Sequence, residues 1–153
     1  TKAEKRGERE AREGVVSSYV HDNRIGVIVE INCETDFVAK NEKFTALVKD
    51  VAMHIAASSP EYVSVDDIPN EIREKQAAEF KEKVMAEGKP ADKADMIVDG
   101  MLKKYFAERC LLDQPFIKNP DQSVGDLVKE ANAQLGENIV VRRFHRIQLG
   151  EVA

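Results

Sequence analysis

The residue types that most often carry covalent chemistry are few in this chain, and their spacing fits no such chemistry. The three histidines lie in a predicted turn, a predicted helix and a predicted strand: His21, His54 and His145. The two cysteines, Cys33 and Cys110, are too far apart in sequence for a metal-binding pair of the usual spacing. The sequence contains no HExxH motif, no phosphate-binding loop and no Gly-x-Gly-x-x-Gly fingerprint. We therefore predict a protein that is not an enzyme and that needs no metal or cofactor.

A group of basic residues beside an aromatic ring could instead bind RNA. Three arginines surround Phe144 in the last predicted strand: Arg142, Arg143 and Arg146. Such residues can hold RNA on the face of a sheet. A charged edge strand that resists pairing with other sheets explains the same residues, and the formal net charge of −5 argues against binding held mainly by phosphate contacts. An RNA- or ribosome-associated module is therefore the alternative function, and we expect no direct contact with nucleic acid.

The most unusual residue for its position is Phe37, an aromatic side chain in the segment that connects a predicted strand to a predicted helix. An exposed apolar ring costs free energy in water unless the protein folds it inward or a partner covers it. Phe37 either packs beneath the following helix, against Leu47 or Val48, or anchors the protein in a pocket of a partner. Thr35 or Asp36 can cap the turn and fix the direction of the ring. The residues alone leave both interpretations open.

The hydrophobic pattern predicts the elements that must position this segment. In chain order they are strands 15–20 and 25–32, a helix 41–58, a helical hairpin 66–108, a loop 110–121, a helix 124–135 and a strand 138–149. The hairpin is expected to begin with Pro69 in the first turn of its first helix. Ser123 and Gly136 suit the two ends of the last helix. The broken alternation at Arg143 and Phe144 predicts a bulge or an exposed edge.

These elements predict an α+β fold, in which a small three-stranded antiparallel sheet packs with helices and an antiparallel helical hairpin projects from the body. Three strands bury little apolar surface by themselves, so we expect the sheets of two copies to pair in a homodimer. The outer faces of the hairpin carry charges of both signs, which favours a solvated arm over a helix pair that binds a partner.

The length of 153 residues suits one domain with its own core. Residues 1–14 are mostly charged, and we expect them to form a linker helix ahead of a core and dimerisation domain at 15–150, into which the hairpin 66–108 is inserted. Since no apolar run approaches the ~20 residues of a membrane helix, we expect no membrane contact.

Four segments resemble signature motifs of the translation elongation factor Ts family. In chain order they are 33–41 (CETDFVAKN), 50–58 (DVAMHIAAS), 112–116 (LDQPF) and 136–143 (GENIVVRR). The resemblance extends from about residue 3 to about residue 150. Four motifs in the correct order are far more specific than any one of them.

The resemblance implies a guanine-nucleotide exchange factor for the GTPase elongation factor Tu. In the family, a loop phenylalanine enters a pocket of the GTPase domain and shifts the elements that hold Mg²⁺ and the nucleotide phosphates. The residues that match this loop are Thr35, Asp36, Phe37 and Val38. His21 lies in a turn that resembles a family turn near the phosphate-binding loop of the GTPase, so we expect a second contact there.

The resemblance also implies an architecture and a cellular setting. The family's N-terminal three-helix module is expected to be absent before Thr1, with residues 3–14 as the linker that follows it. A form with one core copy is expected to act as a homodimer, and the hairpin resembles the projecting arm of the family. The expected compartment is the bacterial cytoplasm, or a plastid stroma or mitochondrial matrix. The rivals are the RNA-associated module and a small enzyme whose site has no recognisable motif.

Overall fold

A three-stranded antiparallel sheet is the central element of the computed structural model, which describes residues 10–152. In chain order the elements are β1 (Glu13–His21), β2 (Ile25–Cys33), α1 (Asp36–Ala39), α2 (Glu42–Ser58), α3 (Asn70–Ala86), α4 (Ala91–Ala107), β3 (Pro115–Phe116), β4 (Asn119–Ser123), α5 (Val124–Leu135) and β5 (Val140–Gln148). The strand order is β1-β2-β5, and both pairs are antiparallel. In the three-residue connection between β1 and β2, Asp22 and Asn23 have positive φ angles of 51° and 55°, as the two central residues of a type I′ turn do. The predicted α+β class is confirmed.

Helix α2 covers one face of the sheet, and the main core lies between them. It contacts both β1 and β2, and α5 contacts α2. The buried residues on the facing surfaces are Val27, Val29 and Ile31 of β2 and Phe44, Val48, Val51 and Ile55 of α2. Full burial of one such side chain contributes about 1.5–3 kcal/mol. The opposite face of the sheet has no helix over it within residues 10–152.

The helical hairpin formed by α3 and α4 is an arm with its own small clusters of apolar residues. Val84, Ala94 and Val98 pack between the two helices, apart from the main core. Helix α3 begins only at Asn70, so its predicted start near residue 66 is wrong. Ile68 is extended at ψ 121° before Pro69, because a residue that precedes proline is disfavoured in the helical region. Residues 65–67 form a separate 3-10 turn.

Two other sequence expectations need correction. The predicted loop 110–121 contains a 3-10 turn and the two-stranded sheet of β3 and β4. The predicted linker helix falls mainly on residues 1–9, which lie outside the described residues, but Glu13 and Gly14 belong to β1 rather than to a helix. Gly14 has a φ of 149°, and a Cβ atom there would lie 2.2 Å from the carbonyl oxygen of Ile31. Only glycine permits this close approach of the two strands.

The predicted bulge is present in β5 beside the arginines. Glu30 pairs with Arg143 and Ile31 with Val141, so Arg142 is the extra residue, one position before the predicted break. The Arg143 guanidinium lies 2.8 Å from the Glu30 carboxylate. Hydrogen bonds from Asn32 and then Arg143 hold the pKa of Glu30 below its ordinary value.

His54 links three parts of the fold from a fully buried position. Its Nε2 donates to the Oε1 of Gln114 over 2.9 Å, and its Nδ1 accepts from the backbone N–H of Ile117 over 3.3 Å. Gln114 in turn donates to the carbonyl oxygen of Glu108, just past the end of α4, over 2.9 Å. The neutral ring, with its proton on Nε2, satisfies every one of these contacts, whereas a protonated ring would aim a second donor at the Ile117 N–H.

We expect the neutral state of His54 to make stability fall in mild acid. Burial lowers the pKa of His54 below its unfolded value of ~6.5, although the Gln114 hydrogen bond opposes the shift. The unfolded chain therefore binds the proton first, and the free energy of unfolding decreases as the pH falls below ~6.5 towards the folded pKa. Urea unfolding at pH 7.5 and pH 5.5 should show a larger loss for the native chain than for His54→Gln, which cannot titrate. Equal losses in both proteins would contradict this assignment.

Candidate functional site

The Phe37 side chain points into solvent, and 80% of its surface is exposed. The interpretation of Phe37 as an internal staple beneath α2 is therefore wrong. Val38, only 5% exposed, takes the inward position and joins the core with Leu47 and Val48. One residue of the loop thus faces the core and its neighbour faces water.

The loop is a short, capped turn rather than an open segment. The hydroxyl of Thr35 accepts a hydrogen bond from the Val38 N–H over 3.3 Å and so caps α1, as expected. Asn41 caps α2 by accepting from the Lys43 N–H over 2.8 Å. Its own N–H donates to the Val38 carbonyl oxygen over 2.9 Å. Asp36 is exposed beside Phe37.

Glu137 holds the loop from the opposite end of the sequence. Its Oε1 accepts from the backbone N–H groups of Glu34 and Thr35, over 3.0 Å and 3.1 Å, and its Oε2 accepts from the Thr35 hydroxyl over 2.7 Å. In return, the carboxylate of Glu34 accepts from the backbone N–H of Asn138 over 2.6 Å. We call these contacts the glutamate clasp. Sequence reasoning missed its role, because a separation of 102 residues gives no local signal, although Glu137 lies within one of the four motifs.

The cysteine that begins the loop is a structural residue. Cys33 is buried, and its Sγ–H donates to the carbonyl oxygen of Thr35 over 3.2 Å. Burial, together with the nearby Glu137 carboxylate, raises the pKa of the Cys33 thiol to about 11. A thiol with this pKa stays protonated at neutral pH and is a poor nucleophile. Within residues 10–152 there is also no group of three or more His, Cys, Asp or Glu side chains that could hold a metal.

His21 lies at the other end of the sheet from the Phe37 loop. It is the last residue of β1 and pairs with Ile25, whereas the loop follows Cys33 at the far end of β2. Eight residue steps of about 3.3 Å separate these ends, or roughly 26 Å. The exposed His21 ring has its Nδ1 2.9 Å from the Tyr19 hydroxyl. The structure therefore brings the four loop residues together and leaves His21 as a separate candidate contact.

The basic strand is already engaged with its own protein. Arg142 donates to the side-chain oxygen of Asn32 over 2.8 Å, and Arg143 pairs with Glu30. Arg146 donates to the Ala56 carbonyl oxygen over 3.0 Å. Arg146 therefore faces its own protein, whereas Arg142 and Arg143 remain exposed and use only their Nε–H groups in these contacts. The Glu30 carboxylate beside Arg143 offsets part of the positive charge of this strand, which weighs against a phosphate-binding site.

Comparison with known proteins shows the family to which this chain belongs. The family model described as elongation factor TS matches residues 3–151. The chain belongs to the elongation factor Ts family. Elongation factor Ts of Thermodesulfovibrio yellowstonii is 52% identical over 97% of this chain and 74% of the relative. The proteins of the same name from Carboxydothermus hydrogenoformans and a Geobacter species are 53% and 50% identical, each over 97% of this chain and 69% of the relative.

Membership of the elongation factor Ts family implies a nucleotide exchange factor for elongation factor Tu in translation elongation. Such a factor changes an equilibrium between bound states of its partner and makes or breaks no covalent bond. Among residues 10–152, no helix is long and apolar enough to cross a membrane.

Proposed function

We propose that this member of the elongation factor Ts family releases GDP from elongation factor Tu by inserting the Phe37 side chain into a pocket of the GTPase, near its Mg²⁺ and phosphate site. The observation that carries this proposal is an aromatic ring, 80% exposed, on a turn whose backbone is fixed on both sides. A rigid exposed ring loses little conformational entropy when it enters a pocket. Burial of its apolar surface also contributes about 1.5–3 kcal/mol.

The four loop residues have different parts in this proposal. Phe37 fills the pocket, and Asp36 beside it contacts the partner. Thr35 caps the turn, and Val38 holds it against the core. His21 makes a second contact with the GTPase from the far end of the sheet.

Exchange follows from linked equilibria. A protein that binds nucleotide-free elongation factor Tu more tightly than the GDP form lowers GDP affinity by the same factor. Displacement of the Mg²⁺ ligands removes a large positive charge that neutralises the phosphates. The nucleotide then leaves faster, and GTP can take its place.

We further propose that two copies pair through the uncovered face of the sheet. Val16, Val20, Ile28 and Ile147 are 68%, 62%, 54% and 73% exposed there. The strand register brings them together, since Val20 and Ile147 both align with Gly26, the residue two before Ile28 on β2. An exposed apolar face on a sheet of three strands is a typical site of association.

Because the relatives are bacterial, we place the protein in the bacterial cytoplasm, where translation occurs.

The direct test is the release of fluorescent GDP from elongation factor Tu, followed by stopped flow in excess unlabelled GDP. Addition of this chain is expected to raise the release rate at least about tenfold, which corresponds to ~1.4 kcal/mol in the barrier. The rate should saturate with the concentration of the chain. An unchanged rate at every concentration of a folded chain would refute the proposed function.

A further inference from the structure

We infer that Glu137 is a positioning residue for nucleotide exchange, which acts by holding the Phe37 loop through the glutamate clasp. This inference rests on the proposed function of Phe37. It adds a dependence on a side chain 100 positions away in the sequence. Glu137 holds the loop by its backbone N–H groups and by the Thr35 hydroxyl, and both oxygens of the Glu137 carboxylate accept these hydrogen bonds.

The hydroxyl of Thr35 is the link between Glu137 and the turn. This hydroxyl has one proton, which it donates to Glu137 over 2.7 Å, so its lone pairs remain free for the N–H of Val38. Glu137 thereby selects the side-chain rotamer in which Thr35 caps α1. Because the acceptor is a carboxylate, its hydrogen bonds are shorter and stronger than those of a neutral group.

The position of Glu137 is itself set by the fold. Gly136 ends α5 with a φ of 71°, a left-handed conformation that glycine adopts without strain. The chain then turns into β5, and the Asn138 N–H donates to the Glu34 carboxylate. The two glutamates therefore join the end of β2 to the start of β5 on both sides of the turn.

The loop depends on this support because it has little of its own. Helix α1 has four residues, far fewer than a helix needs to be stable in water. Val38 is its only buried residue. Without the clasp, the backbone at Glu34 and Thr35 loses its acceptor and the turn can adopt other conformations. The Phe37 loop must then lose conformational entropy when it binds. This cost weakens binding of the ring in its pocket, although the ring itself is unchanged.

The test is a double-mutant cycle between Glu137 and Phe37 in the stopped-flow GDP-release assay. Glu137→Ala is expected to reduce the stimulated rate about tenfold at a fixed, subsaturating concentration. Glu137→Gln should stay within about threefold of the native rate, because its amide oxygen can still accept from the two backbone N–H groups. In a Phe37→Ala background, Glu137→Ala should cause no further loss, since its effect passes through that ring.

The matched control is Glu130→Ala, which removes an exposed carboxylate from the nearby helix α5 and should leave the rate unchanged. Urea unfolding of each variant is measured alongside, and only variants with a cooperative unfolding transition are compared. If Glu137→Ala matches the native rate while Phe37→Ala is inactive, the inference is wrong and the proposed function stands. An equal loss from Glu137→Ala in both backgrounds also refutes it, since that effect would be independent of the ring. If Phe37→Ala is fully active, the proposed function fails and the inference fails with it.

Discussion

Replacement of Phe37 by alanine is expected to remove most of the stimulation of GDP release. Aromatic anchors at the centre of an interface typically contribute 2 kcal/mol or more, which corresponds to a loss of roughly 30-fold. The stability of the protein itself should change by less than about 0.5 kcal/mol, because the ring is 80% exposed and leaves no cavity. The measurement is the concentration dependence of the stopped-flow release rate.

Met96→Ala is the matched control for Phe37→Ala. Met96 is another large apolar side chain, 78% exposed, but it lies on α4 in the hairpin. Its truncation removes a similar amount of exposed apolar surface and should leave the release rate as it was. If both variants stimulate release as well as the native chain does, Phe37 is not the residue that displaces the nucleotide.

Features that depend on residues close together in the sequence could be predicted. The cap by Thr35 is one such feature, and the capping box of Ser123 and Asp126 is another. In each case a hydroxyl accepts from an N–H three residues later, so the donor and acceptor lie in one short window of the sequence.

The direction of the Phe37 ring could not be predicted, because it depends on which residue fills the space beneath α2. Phe37 and Val38 are adjacent and both apolar, and either could face inward. Val38 faces inward in the structure, where Thr35 caps the turn and the glutamate clasp holds the backbone. The clasp is invisible in a local pattern because Glu137 and Thr35 are 102 residues apart.

Short elements were missed for a different reason. The strands β3 and β4 have two and five residues and include Pro115 and Pro120, so they show neither alternation nor typical strand residues. Pro115 lies opposite Ser123, and His54 forms hydrogen bonds to Gln114 and Ile117 on either side of β3. Tertiary contacts of this kind override local propensity.

The second large effect concerns the uncovered face of the sheet. Substitution of Ile28 with arginine is expected to convert the proposed dimer into monomers. Ile28 lies at the centre of that face, on the middle strand, between Ser18 and His145. A two-fold axis through the face would bring both copies of the new charge into the same interface. Burial of unpaired charges is costly, so the dimer should weaken by at least about 100-fold, or ~2.7 kcal/mol.

Sedimentation velocity at several protein concentrations measures the change, with Ile72→Arg as the matched control. Ile72 is 40% exposed on α3 in the hairpin, outside the sheet face, so the same substitution there should leave the dimer intact. Neither variant should unfold, because both side chains already face solvent in a single copy of the chain. A native chain that sediments as a monomer at every concentration would show that the sheet face is not a dimer interface. If both variants dissociate equally, the added charge acts regardless of its position. That result would contradict the assignment of the interface to Ile28 and its neighbours.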